Sequence, residues 1–240
     1  MKDIRGDLNE LFLNLSRLPP TDGARTIMFV GSNVGAGTTS VSMSFGLLAA
    51  GRSTKAAWLV DLDLQQNTIY QAFRKGFARD VGKPGRAYDA SLKQKPIYKI
   101  AGSTAEYLGG RKQTMRSGMD TKLLTAHQIE GTRLMVTRFR KERLEAGQSV
   151  TLQSQPGWWQ TVRQVADWVI IDAPPVQTSG VALRCAAQMD GVVLVIKADE
   201  TSARDAINLQ TEIEANGGVV LGSVMNAARL DTRLARHLSY

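Results

Sequence analysis

The chain has 240 residues, 43% hydrophobic and 22% charged, which excludes collagen-like and wholly disordered proteins and suits one large domain. Its 30 Lys+Arg outnumber its 22 Asp+Glu, and the excess is local: residues 74–143 hold 17 basic and 6 acidic side chains, against 13 and 16 in the remainder. A lone cysteine, Cys185, excludes an intramolecular disulfide, no His/Cys cluster has zinc-ligand spacing, and every apolar run falls far short of the ~20 residues that span a bilayer, so a reducing cytoplasm is the expected setting.

The N-terminal residues carry no apolar run of the kind that leads a signal peptide. Instead Ile4, Leu8, Leu11, Phe12, Leu15 and Leu18 recur at helical spacing, which predicts a helix over 3–18 stopped by Pro19-Pro20. Residues 26–30 read as a short strand running into the glycine-rich stretch 31–39. Residues 42–50 then read as a helix with Gly51 as its C-cap. Ala56–Asp61 is a second apolar strand, ending in a carboxylate. The basic segment 74–143 reads as a loop-rich insertion with one strand, 133–139, near its end. After it come a helix over 157–166, a fully buried strand over 168–172, and strands at Gly191–Lys197 and 219–225 separated by a helix over 202–215. A short basic helix is expected over 230–238. Nearly continuous apolar strands alternating with helices predict an α/β fold in a single domain: a doubly wound, mostly parallel sheet with helices on both faces.

A strand, a glycine-rich turn and a helix, in that order, make a phosphate cradle. Gly35 and Gly37 let backbone N–H groups turn inward, and a helix starting near Thr38 aims its positive end at them. Against the pattern G-x-x-x-x-G-K-[ST], Ser32 stands at the first position, Gly37 is the second glycine, and Thr39 is the metal-binding hydroxyl. Thr38 stands where the lysine belongs, and no Lys or Arg occurs anywhere from 27 to 50. That lysine sets a full positive charge against the β- and γ-phosphates, whereas a threonine hydroxyl brings one hydrogen bond and no charge. The loop is therefore compatible with weak anion binding but not with fast turnover, and a turn of this kind also serves tight packing alone. Asp61-Leu62-Asp63 and Asp172-Ala173-Pro174-Pro175 end two strands, where a nucleotide lies in a doubly wound sheet. An acid there can hold Mg²⁺ or activate a nucleophile, or simply cap the next helix or loop. Asp61 and Asp63 make no acid/base pair without a cleft to place them in.

With these motifs together, the chain resembles the deviant Walker P-loop proteins (MinD/ParA-like). Within them it is most similar to the bacterial tyrosine kinases (CpsD/CapB type) that form the cytoplasmic domains of polysaccharide co-polymerases. The resemblance runs over 27–71 and 167–226. It implies ATP or ADP with Mg²⁺ at Gly35, Ala36, Gly37, Thr38, Thr39 and Ser40, with Asn226 at the adenine, and Thr39, Asp61 and Asp172 toward the metal. Asp61, Asp63 and Asp172 would be the catalytic acids of an active enzyme. Four departures stand against activity. Thr38 replaces the lysine; Gln65-Gln66-Asn67 follow Asp63 where the family has arginine and proline; Gly6, Asn9 and Phe12 occupy the positions of a Glu/Arg repeat that builds rings; and Tyr240 is the only tyrosine in the last 130 residues, where the family has a phosphorylated cluster.

The resemblance thus implies a pseudokinase whose nucleotide binding is weakened or lost. Its expected partner is the cytoplasmic tail of a transmembrane polysaccharide co-polymerase in exopolysaccharide synthesis or export, which would hold it at the inner membrane. The basic segment would face anionic lipid, and face-to-face homodimerisation stays open. One alternative is a slow ATPase or autokinase whose positive charge comes from elsewhere, with Lys55 or a partner's arginine as candidates. Another is a partitioning ATPase relative on nucleic acid or membrane, ranked last because the basic segment has no recognisable reading element. Trp158-Trp159 reads either as a docking patch or as one buried and one half-buried core aromatic. Arg138-Phe139-Arg140-Lys141 reads as a nucleic-acid contact or a solvated strand end with its Phe tucked in. His127 and His237 receive no role.

Overall fold

In the computed structural model the described residues are 1–92, 96–102, 122–153 and 156–227. They build an eight-stranded sheet in the order β10-β9-β1-β8-β2-β6-β5-β3. The strands are β1 (Arg25–Gly31), β2 (Ala56–Asp61), β3 (Pro84–Asp89), β5 (Leu124–Ile129), β6 (Leu134–Phe139), β8 (Ala166–Ala173), β9 (Gly191–Lys197) and β10 (Val220–Asn226). From β10 to β6 all neighbours are parallel, and β5 and β3 add an antiparallel edge. A separate antiparallel ribbon pairs β4 (Tyr98–Ala101) with β7 (Ser149–Leu152).

The central strands are apolar throughout because each feeds two cores. In β1, Met28 and Val30 face one side while Ile27 and Phe29 face the other; Val169 and Ile171 alternate with Trp168 and Ile170 in β8, and Val192 and Leu194 with Val193 and Val195 in β9. A side-chain period of two splits a continuous apolar run between two helical layers. One layer is α4 (Pro156–Gln164), α5 (Val181–Ala186) and α6 (Ala203–Ala215); the other is α1 (Asn9–Ser16), α2 (Thr38–Arg52) and α3 (Thr68–Arg74).

Several expectations change in detail. The N-terminal helix divides into a 3-10 turn, Arg5–Leu8, and α1. Phe12 of α1 packs on Trp168 and Phe45 with ring centroids 5.2 and 5.9 Å away, and Arg5 pairs with Asp80, tying this segment to the sheet. Gly51 is no C-cap: it keeps a helical backbone, α2 runs through Arg52, and Ser53 closes it by donating to the Ala49 carbonyl at 2.9 Å. The segment 74–143, expected to be loop-rich, supplies three strands of the main sheet and one of the ribbon. The strand expected over 133–139 is β6, with Thr137 interior, whereas buried Thr125 and His127 hid β5 from an apolar pattern. His127 lies beside the Gly85 carbonyl and the Tyr70 ring, and burial lowers its pKa. Trp158 and Trp159 are both fully buried, with the Trp158 indole donating to the Ala90 carbonyl, so the docking-patch and half-buried readings both fall. Phe139 is tucked in, against Tyr98. The helix expected over 230–238, with His237 and Tyr240, lies outside the described residues, as does 103–121 of the basic segment.

Candidate functional site

The glycine-rich turn leaves β1 at Gly31 and enters α2 at Thr38. Gly35 and Gly37 take φ +84° and +85°, a left-handed conformation that glycine adopts without strain. No side chain caps the start of α2, so its first N–H groups point into the cleft in front of the loop. Three other elements strap the loop in place. The Gln177 amide, from the loop after β8, donates to the Ser32 carbonyl at 2.7 Å; Thr201, after β9, meets the Ser32 hydroxyl at 2.8 Å; and the Asn226 amide, at the end of β10, donates to the Ala36 carbonyl at 2.8 Å. A Cβ on Gly37 would overlap that Asn226 amide.

The expected residues converge. Gly35, Ala36, Gly37, Thr38, Thr39, Ser40, Asp61, Asp63 and Asp172 line one cleft of about 730 Å³, walled on one side by Val150 and Leu152 of the ribbon. Asn226 stands apart: it holds the loop from behind, and its amide is committed to Ala36. Thr38 is buried, with its hydroxyl turned back against Gly31, where a Cβ would overlap it.

Asp61 and Asp172 are register partners on adjacent strands, both buried. Burial raises the Asp61 pKa, and the neighbouring Asp172 charge raises it further, against hydrogen bonds from the Ile69 and Asp63 amides. Burial likewise lifts Asp172 to about 6, although the hydroxyls of Thr39 and Ser42 donate to it, the latter at 3.0 Å. Asp63 accepts from the Gln65 and Gln66 amides at 3.1 Å. All three acids thus help order local backbone or hydroxyl groups, and the Asp61–Asp172 pair also keeps two carboxyls close together.

Hard oxygen donors from Thr39, Asp61 and Asp172 suit Mg²⁺. Among the described residues, however, no group of three His, Cys, Asp or Glu side chains forms a metal cage. A cation would complete its shell with water or with the oxygens of a phosphate ligand, and it would offset the carboxylate charge that faces that ligand.

Lys55, a candidate for the missing charge, lies at the opposite end of β2. Its Nζ donates to the Gln164 carbonyl, and six residues of strand, about 20 Å, separate it from the cleft. Four contributors escape the motif pattern. Ser42 sits one turn into α2; Gln177 and Thr201 are loop straps; and Asn67 brackets the Phe139 backbone, accepting from its N–H at 2.7 Å and donating to its carbonyl at 2.9 Å. Asn67 lies in the glutamine-rich stretch where the family pattern fails, and its φ of +51° is the one feature an Asn there suggests.

No family model matches the chain, and no curated protein matches it. Solved structures do. The VpsO kinase domain aligns over 94% of both chains at 18% identity and TM-score 0.60. The kinase domain of the Escherichia coli tyrosine kinase ETK aligns over 92% of this chain and 74% of its own, at 13% identity and TM-score 0.51. Cobyrinic acid a,c-diamide synthase from Mycobacterium smegmatis, solved with an ATP analogue and magnesium, covers 89% of this chain and 77% of its own, at 14% and 0.54.

The chain has the P-loop NTPase fold. At these identities the likeness is one of fold, shared between bacterial tyrosine kinase domains and P-loop enzymes of other chemistry. Among the described residues no helix is long and apolar enough to cross a membrane.

Proposed function

We propose that this chain is a catalytically degenerate, tyrosine-kinase-like P-loop protein that serves as accessory partner to a transmembrane polysaccharide co-polymerase in exopolysaccharide biosynthesis or export. The observation that carries the reading is the disparity inside one cleft. The loop, the uncapped helix start and the acids Asp61 and Asp172 are all in place, while Thr38, at the lysine position, turns its hydroxyl away to Gly31. Phosphoryl transfer depends on positive charge meeting the developing charge of the transferred group. This loop brings backbone dipoles and no cation. Mg²⁺ held by Thr39, Asp61 and Asp172 would supply charge neutralisation when a nucleotide is bound. The chain's own residues orient that ligand and keep the loop shaped through Gln177, Thr201 and Asn226.

The strapped loop also bears on why the fold persists without turnover. Its shape is supported by the protein's own side chains, and the sheet's carboxyl edge would serve as a docking surface. The co-polymerase tail, the inner-membrane location that follows from it, and contact of the basic segment with anionic lipid are parts of the same proposal. The full-length protein is expected to lack Mg-dependent ATP hydrolysis and autophosphorylation. Affinity purification from its native cells is expected to recover a polysaccharide co-polymerase, identified by mass spectrometry. Turnover abolished by Asp172→Ala would overturn the pseudokinase reading in favour of a slow ATPase. Recovery of no such membrane protein would overturn the partner.

A further inference from the structure

The cleft has a charge problem. Asp61, Asp63 and Asp172 line it and the loop contributes no cation, so a polyphosphate would meet carboxyl groups with no loop charge to offset them. Among the described residues one basic side chain lines the same cleft: Arg184. It is the fourth residue of the six-residue α5, which starts immediately after the loop that leaves Asp172 on β8. Helical side chains lean toward their helix N-terminus, so a long side chain at this position reaches back to the carboxyl edge of the sheet. The guanidinium does so. Its Nη1 comes within 3.4 Å of where a Cβ on Gly180 would stand, so the side chain folds back over the start of α5.

Arg184 is exposed: its backbone N–H donates to the Gly180 carbonyl at 3.2 Å, while among the described residues its guanidinium makes no hydrogen bond or ion pair. Other basic side chains of the fold are committed elsewhere. Lys197 pairs with Glu200 at 2.6 Å, Arg138 pairs with Glu142 at 2.6 Å, and Arg163 is buried with Thr26 and the Gln188 carbonyl. A guanidinium with all its donors free, held at the rim of a phosphate-shaped cleft, has the geometry to take phosphate oxygens in pairs.

We propose that Arg184 is the phosphate contact of this cleft, supplying from α5 the positive charge that Thr38 cannot, and that the ligand it recognises is a Mg-complexed nucleoside diphosphate or triphosphate. The inference rests on reading the cleft as a nucleotide site. It concerns binding and not turnover, so a P-loop with Thr38 still holds nucleotide as a ligand.

Calorimetry on the full-length protein tests this with Mg·ADP, Mg·AMP and adenosine. The natural protein is expected to bind Mg·ADP, and Arg184→Ala to weaken that binding by about tenfold to a hundredfold, the worth of a charged hydrogen bond to phosphate. Arg184→Glu should weaken it further. The loss should shrink for Mg·AMP and vanish for adenosine, a dependence that a merely structural role would not produce. Because Arg184 is exposed, ligand-free melting curves of the variants should match the natural protein. Equal affinity of the natural protein and Arg184→Ala for Mg·ADP, or no binding of Mg·ADP by the natural protein, would overturn the inference. Either result leaves the absence of turnover to be judged by its own assay, so the two readings fail separately.

Discussion

Replacing Asp172 by Asn should make the protein more stable at neutral pH. The folded chain lifts the Asp172 pKa from 3.8 to about 6, chiefly by burial. Between those values the folded state keeps a proton that the unfolded state has released. Stability present in acid is therefore lost as pH rises through about 6, and the loss then stays constant. The shift corresponds to roughly 3 kcal/mol at neutral pH. Asparagine keeps the shape and an oxygen for the Ser42 hydroxyl, which now donates at 3.0 Å, and it removes one of two carboxylates that are register partners. Urea unfolding of Asp172→Asn and the natural protein at about pH 4 and about pH 7.5 reads the effect of Asp172 together with its relief of Asp61, because the difference between the chains cancels the titrating groups that do not interact with Asp172. Near pH 4 the difference should be small, and near pH 7.5 the variant should be more stable by about 2–3 kcal/mol. An Asn variant that is less stable at neutral pH, or a difference that does not change with pH, would refute the reasoning.

Two further perturbations probe the frame. Gly37→Ala places a Cβ on the Asn226 amide at φ +85°, so it should lower stability by about 2–3 kcal/mol and break the Ala36 strap; an unchanged melting curve would count against the strap geometry. Arg163→Met should cost about 3–5 kcal/mol in chemical denaturation, because the buried Thr26 hydroxyl, the Gln188 carbonyl and Asp190 all lose their cation; a loss under about 1 kcal/mol would show that Arg163 is replaceable by apolar volume.

Much of this protein was legible in its sequence. Nearly unbroken apolar strands require cover on both faces, and that fixes a doubly wound sheet before any contact is known, because exposed apolar faces cost free energy in water. The order of strand, glycine turn and helix, followed by strand-end carboxylates, placed Gly35 to Ser40, Asp61, Asp63 and Asp172 on one carboxyl edge, since parallel strands all end at the same side. Short-range patterns carry this information because backbone conformation and strand direction are local properties.

Tertiary structure decided the rest. Strands β3 and β5 hide in the basic segment because β3 is a polar, half-exposed edge and buried Thr125 and His127 break the apolar pattern of β5, and only pairing reveals them. Asn226, distant in sequence, proves to grip Ala36, and Lys55 proves to lie at the wrong end of its strand. Arg184 carries no motif at all. Its meaning comes from the direction in which a helix projects its side chains and from the cleft that the loop, two strands and the ribbon enclose, and distance between residues far apart in the chain exists only once the sheet is wound.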